Sequence, residues 1–309
     1  MGRVDHVMLD RARTPRFFYD AATVISQGAR DRQEDAVACD FAEGAELGFA
    51  VLADGVGGHE AGDVASKVVV TEVFSELKLK SDEGALLSRT LPEVLRNAAL
   101  GANDCVGAIS GQRGGAAPMG STLLAPAVIG DRLFWVSIGD SPLFLFRDGT
   151  LRRLNEDHAL GQQIDFVVES GLMGRQEALD HPDQTCLTSV IAGRAIPQID
   201  CPLRPLRLRE GDLVIAASDG LLVLDEGSIA RRLTTAQGTA ADVARALLDA
   251  VEAAGDPEQD NVAICVIKVC DADVARAAGM AAMAPVVRRA VRPGVTVIAA
   301  RFDRRGLAG

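Results

Sequence analysis

Carboxylates recur in this chain where an apolar, strand-like run gives way to a turn: Gln33-Glu34-Asp35, Asp54-Gly55, Asp219-Gly220 and Asp260-Asn261. A single Asp-Gly pair is an ordinary turn. A set of such stations, far apart in the chain and all at the ends of runs, is how a fold gathers carboxylates at one edge. At an effective dielectric of 20, two carboxylates about 4 Å apart repel by about 4 kcal/mol, so a convergent set needs a cation or a proton to compensate it. Hard divalent cations such as Mg²⁺ and Mn²⁺ take oxygen ligands of this kind.

The rest of the composition narrows the class. Of 309 residues, 48% are hydrophobic and only 4% aromatic, so a large core is expected, built mostly from Ala, Val, Leu and Ile. The formal charge of −11 opposes nucleic-acid binding, which needs clustered Lys and Arg. From Asp271 onward there are seven Arg against three Asp, a net of +4, which leaves −15 for the residues before it. Six dispersed cysteines form no Cys-x-x-Cys and no zinc spacing, and most read as small buried hydrophobes. No signal-peptide core or membrane-length apolar run is found; even Met280–Ala300 is cut by Arg288, Arg289 and Arg292. No membrane insertion and a reducing, cytoplasmic setting are therefore expected.

Along the chain, Ala21–Ser26, Ala36–Phe41 and Leu47–Ala53 read as strands, the last nearly continuous in apolar residues. A helix is predicted beyond His59, with Ala61, Ala65, Val68, Val69, Val73 and Leu77 on one stripe, and a second over Glu83–Ile109, restarted at Pro92. Ser121–Ile129, Arg132–Ser137, Leu143–Arg147 and Thr150–Leu154 are strand-like, with hairpin turns at Gly130-Asp131 and Asp148-Gly149. A polar, helical stretch is expected from Asn155 to Leu179. Strands follow at Cys186–Ile191 and Asp212–Ala217, then a helix at Ala240–Ala253 and a closing strand at Asn261–Val269. Strands grouped in hairpins with helices in blocks favour an antiparallel α+β layered fold.

Six ordered blocks between Thr23 and Val269 resemble the metal-dependent protein phosphatases of type 2C, particularly the bacterial members: Arg30–Asp35, Val51–His59, Gly120-Ser121-Thr122, Ile138–Ser141, Ala217–Gly220 and Asp260-Asn261-Val262. The resemblance implies a four-layer α-β-β-α sandwich, two packed, mainly antiparallel sheets flanked by helices, with a metal cleft at the sheet edge. It implies a domain over residues 21–270, an N-terminal extension over 1–20 and an Arg- and Ala-rich tail over 271–309.

It also implies site roles. Asp54 would bridge two Mn²⁺ or Mg²⁺ ions, Glu34 and the Gly55 carbonyl completing one site and Asp219 and Asp260 the other. Asp140 matches a carboxylate that contributes to a third, weaker site. Arg30 is expected to bind phosphate, bidentately as a planar guanidinium can. His59 is a candidate general acid; Asp35 and Asn261 would support the ligands without touching a metal. Two adjacent cations acidify a water for in-line attack on phosphorus.

The implied activity is hydrolysis of phosphoserine and phosphothreonine in phosphoproteins, opposing a serine/threonine kinase, with the stretch Asn155–Ile191 as a flap that selects substrates. The rival readings are a catalytically weak phosphatase-like module that binds a phosphorylated partner, and a two-metal hydrolase of small phosphate esters. The chain departs from the family pattern at Gln33 (usually Asn), Pro142 (usually Arg) and Ala263 (often Thr). Pro142 removes a cation and a backbone donor beside Asp140.

Overall fold

The structure is a computed structural model and describes residues 17–41, 47–56, 60–81, 87–112, 119–160, 186–271 and 295–298. One sheet runs β12 (Val295–Ile298), β1 (Phe17–Ser26), β11 (Val262–Asp271), β10 (Leu213–Ala217), β7 (Leu143–Arg147), β8 (Thr150–Arg153). The second runs β2 (Asp35–Asp40), β3 (Leu47–Val56), β5 (Leu123–Ile129), β6 (Arg132–Ile138), β9 (Leu206–Arg207), with β4 (Gly120–Ser121) beside β3. Every pairing among these strands is antiparallel. Helices α1 (Glu60–Lys80) and α2 (Leu87–Gln112) cover the second sheet; α3 (Glu226–Thr235) and α4 (Ala240–Ala254) cover the first.

Side-chain alternation builds these four layers. On β3, Phe49, Val51 and Ala53 pack toward α1 and α2, while Ala50 and Leu52 face the other sheet. On β11, Val262, Ile264 and Val266 meet α4's side, and Ala263, Cys265, Ile267 and Val269 face inward. Burial on both faces is why these runs are almost unbroken in apolar residues. The expected helical stripe holds too: Ala61, Ala65, Val69, Val73 and Leu77 are buried, with Val68 packed at its margin.

Both predicted hairpin turns form, with left-handed backbone at Gly130 and at Asp148 and Gly149, φ being +51° at Asp148. Several expectations are corrected. Helix α2 does not restart at Pro92 but runs through it, the proline forgoing one hydrogen bond inside the helix. Cys186–Ile191 is not a strand; it makes single bridges, Leu187 to Ala159 and Ile191 to Ser121. Helix α3, β9 and β12 were not expected. Strand β1 takes in Phe17–Asp20 of the expected N-terminal extension, and residues 295–298 of the tail supply β12. The helix expected over Asn155–Leu179 and the flap fall mainly outside the described residues.

The strands carrying motifs bring them to one end of the sandwich, β3, β6 and β10 by closing there and β2 and β11 by starting there. At the opposite end polar contacts run within each sheet and, through the Arg207 and Gly130 carbonyls, between the two. Arg147 donates to both carboxylate oxygens of Asp212, at 2.8 and 2.6 Å, and to the Arg207 carbonyl; Arg207 pairs with Asp131, and the Tyr19 hydroxyl donates to the Gly130 carbonyl.

Candidate metal centre

Asp35 and Asp54 stand directly opposite each other in the β2–β3 register. Asp54 continues the row of Ala50 and Leu52, and Asp35 that of Val37 and Cys39, so both belong to the face turned toward the other sheet. From that sheet, β10 runs into Ser218 and Asp219, and the turn before β11 brings Asp260 and Asn261. The turn after β6 brings Asp140. Glu34 leads into β2 beside Asp63 of α1. The structure thus brings together Glu34, Asp35, Asp54, Asp140, Asp219 and Asp260. His59 lies outside the described residues.

The electrostatics record the crowding. Burial pushes the Asp35 carboxyl up to about 8, a hydrogen bond from Ser218 opposing and Asp219 and Asp260 adding to the rise. Asp54 is held well above the usual carboxylate range by burial and then by Asp35, Asp219, Asp140 and Asp260. Asp140 is pushed up to about 7 by burial and Asp219, against its own backbone N–H and Arg153. Glu34 is raised by burial, then by Asp63 and Asp260. Asp219 is raised by burial and Asp260. Among the described residues, Asp35 Oδ1 and Asp219 Oδ1 are buried without a hydrogen-bond partner. An all-oxygen, anionic set with orphaned lone pairs fits a hard divalent cation. No three of these groups stand ready around one point among the described residues. Instead the Arg30 guanidinium lies 2.6 Å from Asp260 Oδ2 and supplies positive charge locally.

The supporting network was only partly legible. Asn261 donates from Nδ2 to the Gln27 and Arg32 carbonyls, at 2.7 and 2.9 Å, and its Oδ1 accepts from Glu34 N–H at 2.7 Å, so it shapes the loop that carries Arg30 and Glu34. Gln33 donates to the Ser26 carbonyl and accepts from Asp35 N–H, both at 2.8 Å. The departure from Asn therefore has a structural use. Ser218 Oγ donates to Asp35 Oδ2 at 2.7 Å and accepts from Ala263 N–H at 2.9 Å. Thr122 Oγ1 accepts from Asp54 N–H at 2.9 Å and hydrogen-bonds Ser141 at 3.0 Å.

Around Pro142, hydrogen bonds hold the segment from both sides. The Pro142 carbonyl accepts from Ala217 N–H, and Asn155 bonds Ser137, Ser141 and Leu143. Arg153 of β8 donates to the Asp140 carbonyl at 2.6 Å and to Asp157 at 2.7 Å, returning a cation to the segment from another strand. No periodicity pointed to Arg153. His158 is buried, its Nδ1 accepting from Gly139 N–H, a structural role.

Missed altogether was Gly62. A Cβ there would lie 2.9 Å from the Gly55 carbonyl oxygen and 3.0 Å from the Glu34 carboxyl carbon, so the first turn of α1 packs against the Glu34 carboxylate as only glycine allows.

Two antiparallel sheets between helical layers, with carboxylates gathered at one end, define a four-layer α-β-β-α sandwich with a candidate metal centre. The family model described as protein phosphatase 2C matches residues 25–256, and the chain belongs to that family. The serine/threonine protein phosphatase PstP of Mycobacterium tuberculosis is 33% identical over 226 residues, 72% of this chain and 40% of that protein. The chain thus spans about two fifths of that relative's length. The protein phosphatase PhpP of Streptococcus pneumoniae is 28% identical over 229 residues, 72% of this chain and 86% of PhpP. A crystal structure of the Mycobacterium tuberculosis PstP superposes with a TM-score of 0.65 at 29% identity, covering 81% of this chain and 98% of the other. Another, of the PstP catalytic domain in complex with two manganese ions, gives 0.64 at 29% identity, covering 82% and 100%.

Proposed function

We propose that this chain hydrolyses phosphoserine and phosphothreonine in proteins with the help of Mn²⁺ or Mg²⁺, reversing the action of a serine/threonine kinase in the cytoplasm. The observation that carries the reading is the convergence of Glu34, Asp54, Asp140, Asp219 and Asp260, with Arg30 exposed at their edge. Membership of the family and the two manganese ions of the PstP complex support it. Glu34, Asp54 and the Gly55 carbonyl would hold one ion and Asp54, Asp219 and Asp260 the other, with Asp140 available to a third. When bound, such ions screen the phosphoryl charge and acidify the attacking water.

The chain's own groups do the rest. Arg30 binds the phosphoryl oxygens, leaving Asp260 for the ion. Asp35, fixed by Ser218, and Asn261, fixed across the 27–34 loop, hold the ligands in place. His59 is assigned proton donation to the departing seryl or threonyl oxygen. No helix among the described residues is long and apolar enough to cross a membrane. The full donor set disfavours the reading as a binding module without turnover.

The deciding assay measures phosphate release from a phosphoprotein, with and without Mn²⁺. A small phosphate ester serves as comparison. We expect Mn²⁺-dependent turnover, abolished by chelation and by Asp54→Asn or Asp219→Asn in protein that remains folded by circular dichroism. Near-normal turnover by either variant at saturating Mn²⁺ would sink the assignment.

A further inference from the structure

The β10–β11 ladder stops short of the two carboxylates it leads to. Its last register pair is Ala217 with Ile264, and Ser218 N–H adds one further bond, to the Ala263 carbonyl at 2.9 Å. Asp219 then opens a 3₁₀ turn, Asp219–Val223, and Asp260 stands in the turn before β11, so the ladder does not fix their separation. The two repel, Asp260 adding to the rise of the Asp219 carboxyl.

Gln259 spans this gap. Its Nε2 donates to the Gly220 carbonyl at 3.0 Å and to the Asp260 carbonyl at 3.2 Å, one grip on the residue after Asp219 and one on Asp260 itself. Its own carbonyl accepts from Ala29 N–H at 2.8 Å, one residue before Arg30. Glycines let the three backbones close up here: a Cβ at Gly220 would collide with the Asn261 carbonyl oxygen, and one at Gly28 with that of Asp260. Turning the Gln259 amide over would set Oε1 against two carbonyl oxygens, so the donor bonds fix its orientation even though Oε1 is buried without a partner. Such a tie holds two like-charged groups at one spacing before an ion arrives, and less of the ion's binding energy then goes into drawing them together.

We propose that Gln259 is a positioning residue for the Asp219–Asp260 pair, holding the two carboxylates at the spacing that one divalent cation takes. The proposal rests on the metal reading above and adds to it a residue that acts through the two ligands.

The test is calorimetric MnCl₂ titration of the full chain and of Gln259→Met and Gln259→Ala, neither of which keeps the donor, followed by phosphopeptide turnover. We expect the parent to bind two ions tightly. Each variant should bind one of them about tenfold more weakly, the ion on the Glu34 side keeping its affinity, as when a group that orients a ligand is lost. The midpoint of Mn²⁺-activated turnover should shift with it, while KM at saturating Mn²⁺ and the Tm of the metal-free chain stay close to the parent's. Equal weakening of both binding events with a lower Tm overturns the proposal, since that is the mark of a general prop. A raised KM at saturating Mn²⁺ overturns it too, because Gln259 would then serve the substrate. The parent separates the two levels of failure: if it binds two ions and the variants bind them equally well, Gln259 alone loses its role, and if it binds no Mn²⁺, the metal reading falls with it.

Discussion

Arg30 is the residue on which the proposed ligand set and the proposed phosphate site meet, through its ion pair with Asp260. Its guanidinium and the Asp260 carboxylate are 56% and 40% exposed, and a pair that open to water contributes about 1 kcal/mol or less, so separating them costs little. Arg30→Ala should lower kcat/KM for a phosphopeptide by about 10- to 100-fold, the loss of one charged hydrogen-bonding group at about 1.5–3 kcal/mol. Calorimetric Mn²⁺ titration should show affinity unchanged or stronger, since the guanidinium no longer engages Asp260. Weakened Mn²⁺ binding with unaltered turnover at saturating metal would reassign Arg30 to scaffolding. Single residues were the most legible part of this chain. Asp54 and Asp219 stood out because each lies where a strand-like run closes, and Glu34 and Asp260 because each lies at a turn that opens one. Arg153 and Ser218 did not, since their value lies in contacts with Asp140 and Asp35 that no local pattern encodes.

Elements were legible where their own period or turn chemistry fixed them. The β5–β6 and β7–β8 hairpins follow from Gly130-Asp131 and Asp148-Gly149, and α4 from its alanine-rich apolar face. That helix also carries a reciprocal cap between Thr239 and Asp242. Helix α3 escaped notice because only Ile229 and Leu233 are fully buried, too thin a stripe to read. The two residues of β9 and the bridges at Leu187 and Ile191 depend on what lies opposite, which spacing along the chain cannot reveal. Gly62 is of the same kind, a helical residue whose identity is set by Glu34 and Gly55 from elsewhere. Gly62→Ala should favour an isolated helix, alanine being the better helix former by about 1 kcal/mol. In this chain the added methyl displaces the Glu34 carboxylate. We expect normal far-ultraviolet circular dichroism with Mn²⁺ activation shifted at least about tenfold to higher concentration; an activation curve overlaying the parent's would show that Glu34 has room to spare.

At the scale of the whole molecule, the layering was legible and the edge of the first sheet was not. Strand β12 pairs with Thr23–Ser26 from the far side of β1, so part of the arginine-rich segment returns to the acidic body. Truncation after Asp271 should still leave a folded, active domain, because β1 retains its ten-residue pairing with β11. It also uncovers four residues of strand edge, and exposed edges pair with one another. Size-exclusion chromatography should therefore show more self-association in the truncated chain, with a small fall in Tm. Insolubility or loss of cooperative unfolding would show that the tail is part of the core.

The two ends of the sandwich are fastened by different means. Beyond the core they share, the sheets are joined at one end by Arg147, which donates to the Arg207 carbonyl, and by Tyr19, which donates to the Gly130 carbonyl. At the other, Ser218 donates to Asp35 and Asn261 holds the loop that leads into β2, so the sheets are pinned on either side of the carboxylates they present to each other. A cation would then enter a mouth whose frame is already set, and withdrawing it should loosen the carboxylates themselves more than the strands that carry them.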